Sequence, residues 1–369
     1  MYYIGLMSGT SMDAVDAALV EFDKKTILKF YNEYPIDSSL KNEIRRTNKE
    51  TNLIELAKLD NKLGHFFADA ANDLMKTANV NPNQVKAIGS HGQTILHLPT
   101  DAEKTSIQIS DPNIICAKTG VTTVADFRRM DMAYGGQGAP LASSFHEYQF
   151  RNNDKSIAIL NIGGFANLTL LPSDEGRIIG FDTGPGNTLL DAWIKKNKNC
   201  DFDENGLWAD SGKADPVLLK QLLSDNYFSS QIPKSTGKEY FNLNWLDANL
   251  KKLNKKLSSE DIQATLLKLT AITITDDIMK YAYKFSEVII CGGGTKNTML
   301  IKIIKQILTN FKVTTTSDYG LSPDCIEAVT FAWLAKKRLE NQPSNIPTVT
   351  GATERVVLGG IYSPIKKNS

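Results

Sequence analysis

The sequence has little cysteine and little histidine, four of each in 369 residues. Cys116, Cys200, Cys291 and Cys325 lie far apart with no CxxC pair, which argues against a zinc cluster or a disulfide framework and fits a reducing compartment. Charge of one sign is missing too. With 42 basic and 41 acidic residues the net charge is +1, so there is no basic excess of the kind that marks nucleic-acid binding. No run approaches the roughly 18 apolar residues of a membrane span, and no basic stretch leads into an apolar one at the N-terminus. The expectation is a soluble cytoplasmic protein without nucleic-acid or membrane partners. Familiar nucleotide motifs are absent as well. Gly212-Lys213 and Gly237-Lys238 are followed by Ala and Glu, so there is no P-loop, and there is neither a GxGxxG nor a protein-kinase motif set.

What the chain does have is 41% hydrophobic and 22% charged residues, ordinary for a globular protein, and a length that suggests two domains. The lysine clusters at 195–198 and 251–256 read as solvated helix faces. Glycine gathers in turns that follow strand-like runs. Residues 1–22 read as strand, turn, strand, with the turn at Gly9-Thr10-Ser11-Met12-Asp13. Residues 156–171 repeat that plan around Gly163-Gly164, without repeating the sequence. Glu287–Cys291 reads as a buried strand running into Gly292-Gly293-Gly294 and then a helix whose apolar face is Met299, Leu300, Ile303 and Ile304. Helical periodicity runs from about Ser38 to Ala78, and residues 205–280 read as mainly helical with a loop at 232–237. Val85–Gly89 reads as a short buried strand ending in the polar turn Ser90–Thr94. Asp111-Pro112 and Ser322-Pro323 each read as a helix start, and Tyr134–Pro140 as the crossover between domains.

Several residues have the chemistry of a site. A turn of small residues can present backbone N–H groups and hydroxyls to an anion, and Asp13 or Asp16 can face a phosphate-bound metal. Asp13 serves equally well as a turn cap. Asp182 follows a strand and precedes a glycine turn, which places its carboxylate at a strand end, where α/β sheets bind ligands. It is either a general base or an Asx-turn residue. Arg128 and Arg129 follow a strand with planar forks suited to a carboxylate, or are solvated. His91 is a polar residue at a strand end. Two glycine hairpins and a strand–GGG–helix turn form the layout of the sugar-kinase, Hsp70 and actin superfamily.

Seven motifs then occur in one order: Gly9–Asp13, Ser90–Thr94, Val124–Arg129, Gly135–Leu141, Leu160–Gly164, Phe181–Asn187 and Gly292–Asn297. Together they resemble the anhydro-N-acetylmuramic acid kinases of bacterial cell-wall recycling, over essentially the whole chain. The resemblance implies an α/β fold of two actin-like domains with an interdomain cleft, domain 1 being residues 1–132 with about 345–369 and domain 2 residues 133–344. It implies ATP and Mg²⁺ as cofactors and a conversion of 1,6-anhydro-N-acetylmuramate, ATP and water to N-acetylmuramate 6-phosphate and ADP. Asp182 matches the family's catalytic base. ATP binding maps to Gly9, Thr10, Ser11, Met12, Asp13, Ala14, Val15 and Asp16, to Gly163 and Gly164, and to Gly292, Gly293, Gly294 and Asn297, with Asp13 the candidate Mg²⁺ contact. Sugar binding maps to His91, Gln93, Arg128, Arg129 and Glu327. A homodimer is expected by resemblance. Ala14 stands where the family has glycine, and Phe165 where it has a smaller aliphatic residue. Two other readings stay open at this point: a plain sugar kinase that opens no bond, and an ATPase switch module of the same superfamily.

Overall fold

The computed structural model describes residues 1–9, 12–23, 25–47, 50–174, 176–232, 234–282 and 284–365. The chain forms two compact units, Met1–Gln149 with Cys325–Ser369, and Phe150–Asp324. Among the described residues no helix is long and apolar enough to cross a membrane.

Unit 1 contains β1 (Tyr2–Ser8), β2 (Ala14–Phe22), β3 (Thr26–Pro35), β4 (Val85–Leu98), β5 (Thr105–Ile109) and β6 (Thr123–Ala125). Its sheet runs β6-β4-β1-β2-β3, with the C-terminal strand Gly360–Tyr362 beyond β6 and β5 paired to β4. The first three strands form an antiparallel meander, and β4 and β6 join it in parallel. Unit 2 contains β7 (Ile157–Ile162), β8 (Phe165–Leu171), β9 (Ile179–Pro185), β10 (Glu287–Cys291) and β11 (Lys312–Thr315), in the order β11-β10-β7-β8-β9. Again three antiparallel strands come first, and two parallel ones follow on the far side of the first. This plan, present once in each unit, is the actin-like α/β fold. The parallel central strands β7 and β10 are buried along their whole length, as strands covered on both faces must be.

In unit 1 one face of the sheet packs Ile4, Leu6 and Val15 against Leu63, Phe67 and Leu74 of the helix Leu53–Thr77. The other face is approached by the helix Ile326–Leu339. Gly5 and Gly89 are ladder partners on β1 and β4, and a Cβ on either would collide with the helix backbone at Ala328 and Phe331. Two glycines in register thus let the helix backbone lie on the sheet. In unit 2 the long helix Ser259–Tyr281 carries Leu266, Leu269 and Ile274 into a core with Leu168, Ile290 and Trp193.

The structure changes several sequence readings. The helical stretch 38–78 is two helices, Ser38–Arg46 and Leu53–Thr77, each capped by a side chain, Asp37 and Asn52. β3 was not expected. Ser90–Thr94 is not a turn but the middle of β4. Its buried polar side chains have partners elsewhere in unit 1: Gln93 bonds Ser8, Ser90 meets Ser110, and His91 meets Arg128. Pro323 opens a single short turn, Pro323–Cys325, before the helix Ile326–Leu339. The units divide at Gln149/Phe150 and Asp324/Cys325 rather than at 132/133 and 344/345. The glycine stretch taken for a crossover stays with unit 1 for a physical reason. The buried Asp131 carboxylate accepts from the Gly138 N–H (2.8 Å), Asn345 Nδ2 (2.8 Å) and Thr350 Oγ1 (2.7 Å), and Gln137 donates its N–H to the Thr350 carbonyl (2.7 Å).

Candidate functional site

In unit 1 the β1–β2 turn is tied to β4. Ser8 donates to Gln93 Oε1 (2.7 Å), and Gln93 Nε2 donates to the Gly9 carbonyl (3.4 Å) and the Thr94 carbonyl (3.3 Å). Gln93 is fully buried, so its amide positions the turn. Met12 turns the chain in the left-handed region (φ 59°) and donates its N–H to Gly9 (3.2 Å). Thr10 and Ser11 lie outside the described residues. Asp13 is at the turn's exit, its side chain 61% exposed and paired with Lys41. Ala14, Val15 and Asp16 are already in β2, where Asp16 accepts the Tyr31 hydroxyl (2.8 Å) and Ala14 faces Pro35.

His91 and Arg128 form one unit of hydrogen bonding. The buried His91 donates from Nδ1 to the Gly92 carbonyl (2.9 Å), which leaves Nε2 to accept from Arg128 Nε (3.0 Å) and Nη2 (2.8 Å). Burial and the adjacent guanidinium push His91 well below the ordinary histidine value, so its ring is neutral. Arg128 Nη1 donates to the Gly138 carbonyl (2.7 Å). Burial pulls Arg128 down to about 10, opposed by the negative charge of Glu327 and Asp131. It remains a cation, and its fork is locked from behind by His91 and Gly138. Arg129 differs. It is largely exposed and bidentate to Asp126 (2.8 and 2.6 Å). Glu327 stands half-buried in the first turn of the helix Ile326–Leu339.

In unit 2 the ladder partners Asn161, Asn167 and Asp182 form a row across β7, β8 and β9. Opposed residues of an antiparallel pair project on one face with close Cβ atoms. That face is the one opposite the core that holds Leu160, Leu168 and Phe181. Asp182 is therefore not at the end of its strand, as its sequence context suggested. β9 continues to Pro185, with a register shift between the Asp182 and Gly184 pairings. The strand is held on its open side: Asp182 donates its N–H to the Lys234 carbonyl (2.9 Å), and its own carbonyl accepts the Tyr227 hydroxyl (2.8 Å). Asp182 Oδ2 accepts the Thr236 N–H (3.0 Å). Some of its surface stays open, yet enough protein surrounds the carboxylate that desolvation pushes it up to about 6, with the Thr236 bond and the Lys234 charge pulling the other way. A carboxylate in that state exchanges protons near neutral pH.

The glycine turns of unit 2 are built into the same sheet. Gly186 and Thr188 donate N–H groups to the Gly164 carbonyl (2.9 and 3.0 Å) and Asn187 to the Gly163 carbonyl (2.9 Å). The second hairpin and the residues after Asp182 are thereby one piece. Gly292 (φ 85°) sits so close to Asn161 and Ile162 that a Cβ would collide with both, whereas Gly293 has open space where a Cβ would be. Asn297 caps the helix Thr298–Ile307 by accepting the Leu300 N–H (3.0 Å). Among the described residues no group of three or more His, Cys, Asp or Glu could hold a metal.

The sequence reading missed Lys234 and Asp131 as supports, and Asn167 as the cross-strand partner of Asp182. Asn167 had a signal, since a polar residue alternates with Ala166 and Leu168 on a buried strand. Lys234 and Asp131 had none, because their partners are far along the chain.

Residues 1–364 match the family described as anhydro-N-acetylmuramic acid kinase. The chain is similar to proteins of that name from Coxiella burnetii (50% identity over 363 residues, 98% of this chain and 97% of the relative), Shewanella denitrificans (47% over 365 residues, 98% of each) and Pasteurella multocida (46% over 367 residues, 98% and 97%). Among solved structures it is similar to the activator of the 2-hydroxyisocaproyl-CoA dehydratase from Clostridium difficile with bound ADPNP, at 11% identity over 92% of this chain and 96% of that one with a TM-score of 0.46, too low a likeness to bear on function.

Proposed function

The chain belongs to the anhydro-N-acetylmuramic acid kinase family, a family of phosphotransferases, and from that premise we propose that it converts 1,6-anhydro-N-acetylmuramate, ATP and water to N-acetylmuramate 6-phosphate and ADP. Water attacks C1, its proton passes to the Asp182 carboxylate, and the C1–O6 bond breaks. O6 takes the γ-phosphoryl group, and ADP leaves. The first half is chemistry of the inverting-glycosidase kind, which needs a carboxylate to deprotonate water. The usual second carboxylate, which protonates the leaving oxygen, is not needed, because phosphorus captures that oxygen. One observation carries the reading: Asp182 is a desolvated yet reachable carboxylate, raised to about 6 and fixed by the Thr236 N–H.

The other residues take roles that suit their geometry. The Arg128 fork, locked by His91 and Gly138, suits the lactyl carboxylate of the sugar. Arg129 already holds Asp126 and is the weaker candidate, and Glu327 beside Arg128 suits a sugar hydroxyl. The turns at Gly9–Asp16, Gly163–Gly164 and Gly292–Gly294 suit the nucleotide. Mg²⁺ in phosphoryl transfer is held by phosphates and water with one or two carboxylates. Asp13, exposed at the turn, fits that part, in competition with Lys41; the ion supplies neutralisation of phosphate charge. Cell-wall sugar recycling, a cytoplasmic location and a homodimer complete the reading, by resemblance to the family.

A product assay tests it. With the anhydro-sugar and ATP, mass spectrometry is expected to find ADP and a sugar phosphate heavier by one water than the phosphorylated anhydro-sugar. A product that retains the anhydro bond contradicts the hydrolytic half, and ATP turnover indifferent to the sugar contradicts the whole.

A further inference from the structure

Asp182 depends on a second segment of chain. The strap at 234–236 returns to β9, where the Lys234 carbonyl takes the Asp182 N–H (2.9 Å) and the Thr236 N–H reaches Asp182 Oδ2 (3.0 Å). Lys234 is a charged residue in a place where charge is costly. Its ammonium lies 3.0 Å from Asp277 Oδ2 with the two side chains only 4% and 8% exposed. It also lies over the rings of Tyr227 (5.2 Å) and Phe181 (5.8 Å). A cavity of about 260 Å³ adjoins the pair, lined among others by Phe228, Ser229, Thr273 and Asp276.

A buried ion pair returns little net stability, and apolar residues of similar volume commonly hold a fold as well or better. Holding the strap down therefore does not by itself call for Lys234 and Asp277. What the pair supplies, and an apolar pair would not, is a buried positive charge held over the ring of Phe181, the chain neighbour of Asp182, by a residue whose own carbonyl takes the Asp182 N–H. We propose that Lys234, clamped by Asp277, is a positioning residue that holds the 234–236 strap on β9 and keeps the Asp182 carboxylate ionisable for proton transfer. The inference rests on the reading of Asp182 as the base. The direction of the electrostatics agrees with it: burial raises Asp182, and the Lys234 charge opposes that rise. The groups that face the base are Lys234 and Thr236 from the strap and Tyr227 from the helix Asn226–Ser229. Behind Lys234 stand Asp277, Asp276 and Lys280 on the helix Ser259–Tyr281. Tyr227 is raised far above the phenol range by burial and by Asp182, so it stays a neutral donor.

The test is a titration of the Asp182 carboxyl in the full chain by carbon-13 NMR, its resonance assigned by its loss in Asp182→Asn. Lys234→Met is expected to move the midpoint up by about one pH unit, since an opposite charge nearby is removed. Asp277→Asn is expected to move it down, because the ammonium then acts on Asp182 without its counter-ion. Lys234→Arg should stay nearer to wild type than Lys234→Met. The acidic limb of kcat/KM against pH should move in the same order. Unmoved midpoints in folded Lys234→Met and Asp277→Asn overturn the inference, as does an upward shift in Asp277→Asn. If Lys234→Met does not fold, the sign of the Asp277→Asn shift decides alone. A wild type that fails to turn over the sugar while the midpoints move as stated contradicts the proposed reaction and leaves the clamp standing.

Discussion

The two sheets share a plan and use equivalent positions differently. Across the first three strands of unit 1, one residue before the hairpin turn, the row is Met7, Asp16 and Glu33. Across the corresponding strands of unit 2 it is Asn161, Asn167 and Asp182. In the first row the central acid accepts the hydroxyl of its cross-strand neighbour Tyr31, and the last acid is exposed on an edge strand. In the second row the acid is surrounded by protein, contacted by a backbone N–H from a distant strap, and raised to about 6. Topology therefore delivers a carboxylate to either sheet. What surrounds it decides whether it is a structural acceptor or a proton acceptor.

The contrast can be broken most strongly at Asp182. Asp182→Asn keeps the shape and removes the basicity, so kcat is expected to fall by roughly 10²–10⁴-fold while ATP still binds by calorimetry. A variant retaining more than about a tenth of wild-type kcat would contradict the base assignment. A smaller effect is expected at Arg128. Replacing the fork by the point charge of Arg128→Lys should raise KM for the anhydro-sugar by about tenfold, the loss of one charge-assisted hydrogen bond, with kcat changed less. An unchanged KM would remove Arg128 from the sugar.

The smallest effect is on stability, and it sharpens the comparison without any assay of activity. Asp182 is raised from 3.8 to about 6 in the folded chain. Between those values the folded protein keeps a proton that the unfolded chain has lost. Wild-type stability therefore falls as pH rises through that window and stays reduced above it. Asp182→Asn escapes this cost, so its Tm is expected to exceed that of wild type by a few degrees at pH 8, with the gap closing as pH falls toward 4. Asp16→Asn should show no such gain at pH 8, since it replaces the charged acceptor of the Tyr31 hydroxyl by a weaker neutral amide oxygen. A pH-independent gap at Asp182 would contradict a desolvated carboxylate there.

Much of this was legible in the residues. The hairpins at Gly9 and Gly163, the strand before Gly292 and the helix after it announce themselves by glycine, alternation and period. So does the strand–turn–strand plan that the two hairpins share. β3 was hidden because it is an edge strand whose Lys29, Asn32 and Glu33 face solvent. Ser90–Thr94 looked like a turn because polar residues rarely run through a sheet centre. Here Gln93 is satisfied by Ser8 and the Gly9 carbonyl, bonds invisible in a local window. The first of the two unit boundaries was placed too early because nothing near Asp131 reveals its partners Asn345 and Thr350. The strap at Lys234 was out of reach for the same reason: a lysine in a polar loop reads as solvated until Asp277 is found against it.

The central claim is that Asp182 directs water at C1 while the phosphoryl group goes to O6. Oxygen-18 water tests it most directly, with the product of wild-type turnover analysed at early times, before the anomeric hydroxyl exchanges. The account predicts one labelled oxygen on C1 and none in the phosphate. Label in the phosphate, or an unlabelled product, would contradict it.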